Sequence, residues 1–391
     1  MKIDRDYLIQ TLINLVRINS INPSLVEDGA GEGSIAAYVA HELHQLGFNV
    51  DVHEVAPGRP NVVGTLRGGR QGGGKSLMLN AHMDTVGIEN MPEPYSADIV
   101  GGRLYGRGAY DMKGSLAAML AAAKAVVDSG SALTGDFMLA AVADEEYASQ
   151  GTTELVKRYQ PDAAIVTEPT EMQIALAHKG FIWYEVEVIG KAAHGSRPQL
   201  GIDANMKMGK YLHELEKLER ELRARSGHPL IGPPTLHASM IKGGTSMSVI
   251  ADRCSLFIER RTLPGETEPQ VTAELQALID RVAEADRDFH ATLRRDMSRE
   301  PFSVDEEAVI VRVLDRAYAQ VTHKQPPHSG VSFWTDAALH AATGTDTIVF
   351  GPIGAGAHAA EEWVDLQSVE EAALIYAQTA VAWCARPTDR S

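Results

Sequence analysis

A chain of 391 residues that is 44% hydrophobic and 23% charged has an ordinary globular composition, which excludes disordered and fibrous classes and allows two or three domains at roughly 100–200 residues each. Its 36 basic against 52 acidic side chains leave a net charge of -16, which repels phosphate backbones and anionic lipid headgroups; a small molecule or another protein is the expected partner, with no nucleic acid and no membrane. The N-terminal stretch has no continuous apolar core of an export signal, no run approaches the roughly 20 apolar residues of a membrane span, and Cys254 and Cys384 are too far apart in the chain to suggest a disulfide framework. A cytoplasmic protein is expected.

Apolar residues recur at helical spacing in Tyr7-Leu8, Leu12-Ile13 and Leu15-Val16, and again from Ile35 to Leu46, where Gly47 supplies a stop. Short β-rich runs then alternate with Ala-rich helical ones: strands over 61–66, 77–81, 137–142 and 163–166, helices over 115–128 and 153–159. This alternation predicts an α/β fold with a mostly parallel sheet. Near Lys179 the pattern changes. A strand over 181–189, a charge-rich helix over 204–225, strands over 236–241 and 254–259, a helix over 268–284 and a strand over 290–293 give the order β-α-β-β-α-β of a ferredoxin-like α+β domain. After about Ser298 the first pattern resumes, with a short strand over 348–350 and a final helix over 369–385. The expected organisation is a catalytic domain in two parts, 1–178 and 298–391, interrupted by an inserted domain, 179–297.

Gly69 to Ser76 fits the phosphate-loop pattern G-x-x-x-x-G-K-[ST]. Such a loop must lead from a strand into a helix whose N-terminus faces the anion. Here the following residues, Leu77 to Ala81, read as a strand, so a hairpin loop is expected and nucleotide binding stands only as the rival reading. A stronger signal lies past the ends of the apolar strands, where an open α/β sheet gathers its ligand-binding loops. His82 and Asp84, Asp111, Glu145 and Glu146, Glu168, and His358 come from five separate segments. Each alone reads as a helix cap or a polar loop residue; together they predict a metal site. Two imidazoles, several carboxylates and no thiolate suit zinc first, with cobalt or manganese as substitutes. The surplus of carboxylates suits two ions with one acid left free as a base.

The segments His82-Met-Asp84-Thr85, Gly106-Arg-Gly-Ala-Tyr-Asp111-Met-Lys-Gly114, Asp144-Glu145-Glu146, Thr167-Glu168-Pro169 and Ala357-His358-Ala-Ala-Glu-Glu362 resemble the motif series of the acetylornithine deacetylase / succinyl-diaminopimelate desuccinylase / aminoacylase family of two-zinc metallohydrolases. The resemblance spans nearly the whole chain, in the family's order. It implies a catalytic α/β domain with an inserted lid that also forms a homodimer. It further implies that His82 and Glu168 hold one zinc, Glu146 and His358 the other, and Asp111 bridges; that Asp84 orients His82; and that Glu145 is the general base. Lys191-Ala-Ala-His194 resembles the lid motif whose histidine stabilises the oxyanion, commonly from the partner subunit. Gly243-Gly244, Ser248 and Arg261 resemble the region that receives the substrate carboxylate, Arg261 by its guanidinium fork. Ser248-Val249-Ile250-Ala251 departs from the family's Asn-Val-x-Pro, and Ser332-Phe-Trp-Thr-Asp336 from the desuccinylase's Gly-Gly-Thr-Ser-Asp. The implied reaction is hydrolysis of the amide of an N-acyl amino acid, acetyl ranked first, ahead of succinyl, with dipeptidase, carboxypeptidase and aminoacylase activities as alternatives.

Overall fold

The computed structural model describes residues 1–69 and 73–385, which form two compact units. The first comprises Met1–Leu176, Val304–Ser329 and the chain from Thr335 onward; the second comprises Ala177–Ser303 and Gly330–Trp334.

In the first unit a sheet runs in the order Asn49–Ala56, Arg59–Leu66, Phe137–Val142, Leu77–His82, Ala163–Val166, Asp346–Val349, Ile174–His178. Its four middle strands, from Phe137–Val142 to Asp346–Val349, are mutually parallel; the flanking pairs are antiparallel. The middle strands are buried on both faces, as parallel strands must be. Leu77, Leu79, Ala81, Phe137, Leu139, Ala141, Ala163 and Ile165 face the larger core with helices Arg5–Arg17, Gly114–Asp128, Val309–Thr322 and Leu366–Cys384. The alternate residues Met78, Met138, Ala140, Val142 and Ala164 pack against Leu155 of helix Gln150–Arg158 on the opposite face. The first strand, Asn49–Ala56, is absent from the sequence reading: it is a half-exposed edge strand, without the solid apolar run that marks its neighbours. Both cysteines are buried thiols, and no described helix is long and apolar enough to cross a membrane.

In the second unit four antiparallel strands lie in the order Thr235–Gly243, Arg253–Thr262, Gly180–Ile189, His290–Arg299. One face carries the alternating Ile182, Tyr184, Val186 and Val188, packed with Met208, Tyr211, Leu215 and Leu222 of helix Ala204–Ala224 and Val271, Leu275 and Ile279 of helix Glu268–Ala285. The period-2 pattern on these strands and the 3.6-residue pattern on the helices are thus two views of one core.

Candidate metal centre

Parallel pairing makes the four middle strands of the first unit end at one edge. His82 is the last residue of Leu77–His82 and lies opposite Val142. Glu145 and Glu146 follow Phe137–Val142, Glu168 follows Ala163–Val166, and His358 lies on the loop beyond Asp346–Val349. Asp111 sits in an irregular turn, Ala109–Lys113, that enters helix Gly114–Asp128. Asp111 joins the two imidazoles: its Oδ1 lies 3.1 Å from His82 Nε2 and its Oδ2 3.2 Å from His358 Nε2. His358 Nε2 is also 3.1 Å from Glu146 Oε2, and His82 Nε2 is 3.9 Å from Glu168 Oε1. Ligand atoms of His82, Asp111 and Glu146 all lie within 4.8 Å of one another, and so do those of His82, Glu145 and Glu168. Glu145 therefore stands as close to His82 and Glu168 as a ligand would.

Four acids and two imidazoles in this space strain each other electrostatically. Burial, then the charge of Glu168, raises the Glu145 carboxyl well above the usual range. Burial, then Asp111, raises Glu146, and burial pushes Glu168 up to about 8. Burial opposes charge on His82, but Asp111 and Glu168 overcome it and hold the imidazole well above its ordinary value. Hydrogen bonds to Asp111 and Glu146 push His358 up to about 10. The protein alone compensates these carboxylates with protons, whereas a divalent cation would do so with fixed charge. Glu146 Oε1 is buried with no hydrogen-bond partner, a vacant lone pair of the kind a cation fills. The donors are nitrogen and oxygen without sulfur, so the residues present fit two hard or borderline ions.

Asp84 differs from the role expected for it. His82 Nδ1 is 2.9 Å from the Asp84 backbone carbonyl and 3.7 Å from the carboxylate. The carboxylate instead accepts the backbone N–H of Glu145 at 3.1 Å, that of Glu146 at 3.2 Å and the Asn22 side-chain amide at 2.7 Å. Its side chain thus fixes the turn bearing both glutamates, and its main chain orients the histidine. Behind it, Asn22 also donates to Asp144 Oδ1 at 3.1 Å, and the buried Arg59 forks onto Glu32 and reaches Asp144 at 3.1 Å. Asn22, Glu32 and Arg59 were not singled out by the sequence reading. Neither was Tyr110, whose hydroxyl donates to Glu171, nor Asp336, a buried acid raised to about 6 by burial that accepts from Thr152 Oγ1 at 2.5 Å. Their partners lie far away in the chain, so no local pattern shows these contacts, although Tyr110 adjoins Asp111 and Asp336 ends the Ser332–Asp336 segment.

In the second unit His194 is exposed and bridges Val249. Its Nδ1 accepts from the Ser196 N–H at 3.2 Å and stands 2.8 Å from Ser196 Oγ, which leaves Nε2 as the protonated nitrogen of the neutral ring. The Gly195 N–H donates to the Ser248 carbonyl at 2.8 Å, so Ser248 and His194 are neighbours. Gly243 ends its strand, and Gly244 follows at φ +79°. Arg261 is elsewhere. The register sets Gly243 opposite Cys254 and Thr235 opposite Arg261, which at about 3.3 Å per residue puts Arg261 roughly 23 Å from the Gly243 end of the pair. Its Nε donates to Glu259 Oε1 at 2.7 Å, and its guanidinium lies 5.2 Å from the Phe181 ring centre. Within the second unit Arg261 therefore stands apart from Gly243 and the residues that follow it, because one antiparallel pair carries Gly243 and Arg261 at opposite ends.

The phosphate-loop pattern does not have the setting it needs. Arg70, Gln71 and Gly72 lie outside the described residues, but Ser76 donates to Asp162 Oδ2 through both its N–H and its hydroxyl at 2.7 Å, and strand Leu77–His82 begins immediately. No helix N-terminus follows the serine.

Comparison with known proteins agrees with this geometry. The model of peptidase family M20/M25/M40 matches residues 78–382. An N-formyl-4-amino-5-aminomethyl-2-methylpyrimidine deformylase from Bacillus subtilis is 30% identical over 386 residues, covering 91% of this chain and 90% of that protein. An acetylornithine deacetylase from Vibrio cholerae is 33% identical over 258 residues, covering 64% and 67%. Among solved structures, the aminopeptidase PepT from Bacillus cereus superposes with a TM-score of 0.80 at 20% identity, over 98% of this chain and 100% of its own.

Proposed function

This chain belongs to peptidase family M20/M25/M40 and is a hydrolase of amide C–N bonds, and from that premise we propose that it removes a short acyl group, acetyl or formyl, from the nitrogen of a small amine or amino acid. The observation that carries the reading is Asp111 spanning His82 and His358, with Glu146 and Glu168 on its two sides. His82 and Glu168 would hold one divalent ion, Glu146 and His358 a second, and Asp111 both. The bound ions, zinc first and cobalt or manganese as substitutes, would polarise the amide carbonyl and lower the pKa of a shared water.

The chain's own residues then divide the work. Glu145 takes the proton from the attacking water and delivers it to the departing amine nitrogen. Its half-buried carboxylate faces His82 and Glu168, and the desolvation that raises its affinity for a proton suits a group that must carry one between two steps. Asp84 holds the backbone of Glu145 and Glu146 so that neighbouring side chains take different roles. His194, with Ser196 occupying Nδ1, keeps an Nε2–H donor for the oxyanion. We assign that donor to the partner subunit of a homodimer formed through the second unit. Ser248, beside His194, and Gly243 and Gly244 are proposed to line the acyl or carboxylate side of the substrate. Arg261, paired with Glu259, is proposed to meet a substrate carboxylate only by exchanging that partner.

The named activities of the two relatives, a deformylase and a deacetylase, favour short acyl groups over peptides. The test is turnover by the zinc-, cobalt- or manganese-loaded protein on a panel of N-formyl and N-acetyl amines, N-acyl amino acids and dipeptides. Release of formate or acetate is expected; turnover confined to dipeptides would refute the substrate assignment while leaving the amide chemistry.

A further inference from the structure

Glu362 closes the motif that contains His358 but has no part in the chemistry above. It is 2% exposed, yet every lone-pair direction of its carboxylate is used. Oε1 accepts the backbone N–H of Tyr110 at 3.0 Å and of Asp111 at 2.9 Å. Oε2 accepts the N–H of Gly108 at 2.9 Å and Arg107 Nη1 at 2.7 Å. Arg107 is itself 1% exposed, and its other nitrogens donate to the carbonyls of Gly87 and Ala359, both at 2.9 Å. The Glu362 carbonyl accepts the Gly106 N–H at 3.1 Å.

We propose that Glu362 is a positioning residue that locks the Asp111 turn to the His358 loop, setting the separation on which the second ion site depends. Three amides of one turn, those of Gly108, Tyr110 and Asp111, donate not within the turn but to one carboxylate four residues beyond His358, while the Ala109 N–H between them donates to the Gly106 carbonyl. Strand Trp363–Asp365 pairs with Arg103–Tyr105, so both loops leave one antiparallel ladder, but Asp111 and His358 themselves lie on irregular backbone beyond it, His358 with φ +61°, where side-chain contacts set the spacing. A glutamine in this position would turn an NH₂ group toward at least one of the donors, Gly108 N–H and Arg107 or the two amides on Oε1, and force them apart.

The inference rests on the two-ion reading, and its test separates the two. Hydrogen exchange of the metal-free protein needs no ion: the Tyr110 and Asp111 amides of the unaltered chain should be protected, and Glu362→Gln should speed their exchange by roughly 10- to 100-fold. Zinc titration of the same protein should show the second ion, which needs both the Asp111 turn and the His358 loop, bound roughly 10- to 100-fold more weakly, the usual cost of losing a partner behind a ligand, and the first ion, which shares only Asp111, weakened less. A residue with a merely structural role would lower the melting temperature and leave the second ion untouched. Should Glu362→Gln fail to fold, Glu362→Asp keeps the charge beside Arg107 but is one methylene short of the amides, and the same two shifts are expected of it. Unprotected Tyr110 and Asp111 amides in the unaltered chain, or a folded variant that binds the second ion with unchanged affinity, overturn the proposal. An unaltered chain that shows the amide protection but binds fewer than two ions overturns the two-ion reading instead.

Discussion

Replacing Asp84 by asparagine tests how the site is held together. The Asp84 side chain is buried, and its two oxygens take three donors: Glu145 N–H on Oδ1, Glu146 N–H and Asn22 Nδ2 on Oδ2. Asparagine keeps one oxygen. Turned either way, its NH₂ faces at least one of these N–H groups. Asn22 cannot simply invert to answer it, because its own oxygen accepts the Ser24 N–H at 2.8 Å and its NH₂ also serves Asp144. One charge-assisted hydrogen bond is lost, about 1.5–3 kcal/mol, and one buried donor is left unsatisfied, about 1–3 kcal/mol, so Asp84→Asn should cost roughly 2.5–6 kcal/mol of stability. The turn bearing Glu145 should shift, and a displacement of about 1 Å costs on the order of 10²-fold in rate. Urea unfolding, kcat and zinc titration on the same protein check the three consequences. Unchanged stability with loss only of the ion held by His82 would refute the reasoning, since it would mean that the carboxylate works through the imidazole alone.

Glu145→Gln should retain both ions and lose roughly 10²- to 10⁴-fold in kcat, while Glu146→Gln should lose an ion; metal analysis beside turnover decides, and the reverse pattern exchanges the two roles. Chelation should abolish turnover and two ions per chain should restore it; full activity in a rigorously metal-free sample removes the metal from the mechanism. In that metal-free protein Glu168 binds its proton more tightly folded than unfolded, its value raised from 4.5 to about 8, and so does His358, raised from 6.5 to about 10. Both contributions are complete at low pH and are lost as pH rises through those values, so the melting temperature should fall from about pH 5 to about pH 10 and zinc should reverse the fall; a melting temperature that rises over that range contradicts it. Mixed dimers of His194→Ala and Glu145→Gln, each inactive alone, should recover about a quarter of the sites by random pairing if the histidine serves the partner subunit, and none if it serves its own.

The sequence by itself determined the chemistry and the order of the layers. Solid apolar runs such as Phe137–Val142 and Ala163–Val166 are legible because a strand buried on both faces must be apolar at every position, and the acids and imidazoles that follow them are legible because parallel strands deliver their ends to one edge. Ligand types, too, are properties of single residues, so His82, Asp111, Glu146, Glu168 and His358 could be grouped before any distance was known.

Only the tertiary structure decided which groups touch. Strand register put Arg261 and Gly243 at opposite ends of one pair, a fact of pairing that composition does not record. It also turned the Asp84 carboxylate to the Glu145 and Glu146 amides and left its carbonyl to His82. Asn22, Glu32 and Arg59 meet Asp84 and Asp144 across long stretches of chain, and Glu362 meets the Asp111 turn across 251 positions. A hydrogen bond between distant segments has no period and no spacing in the sequence; it exists only where packing of the core brings a buried acceptor to donors that water can no longer reach.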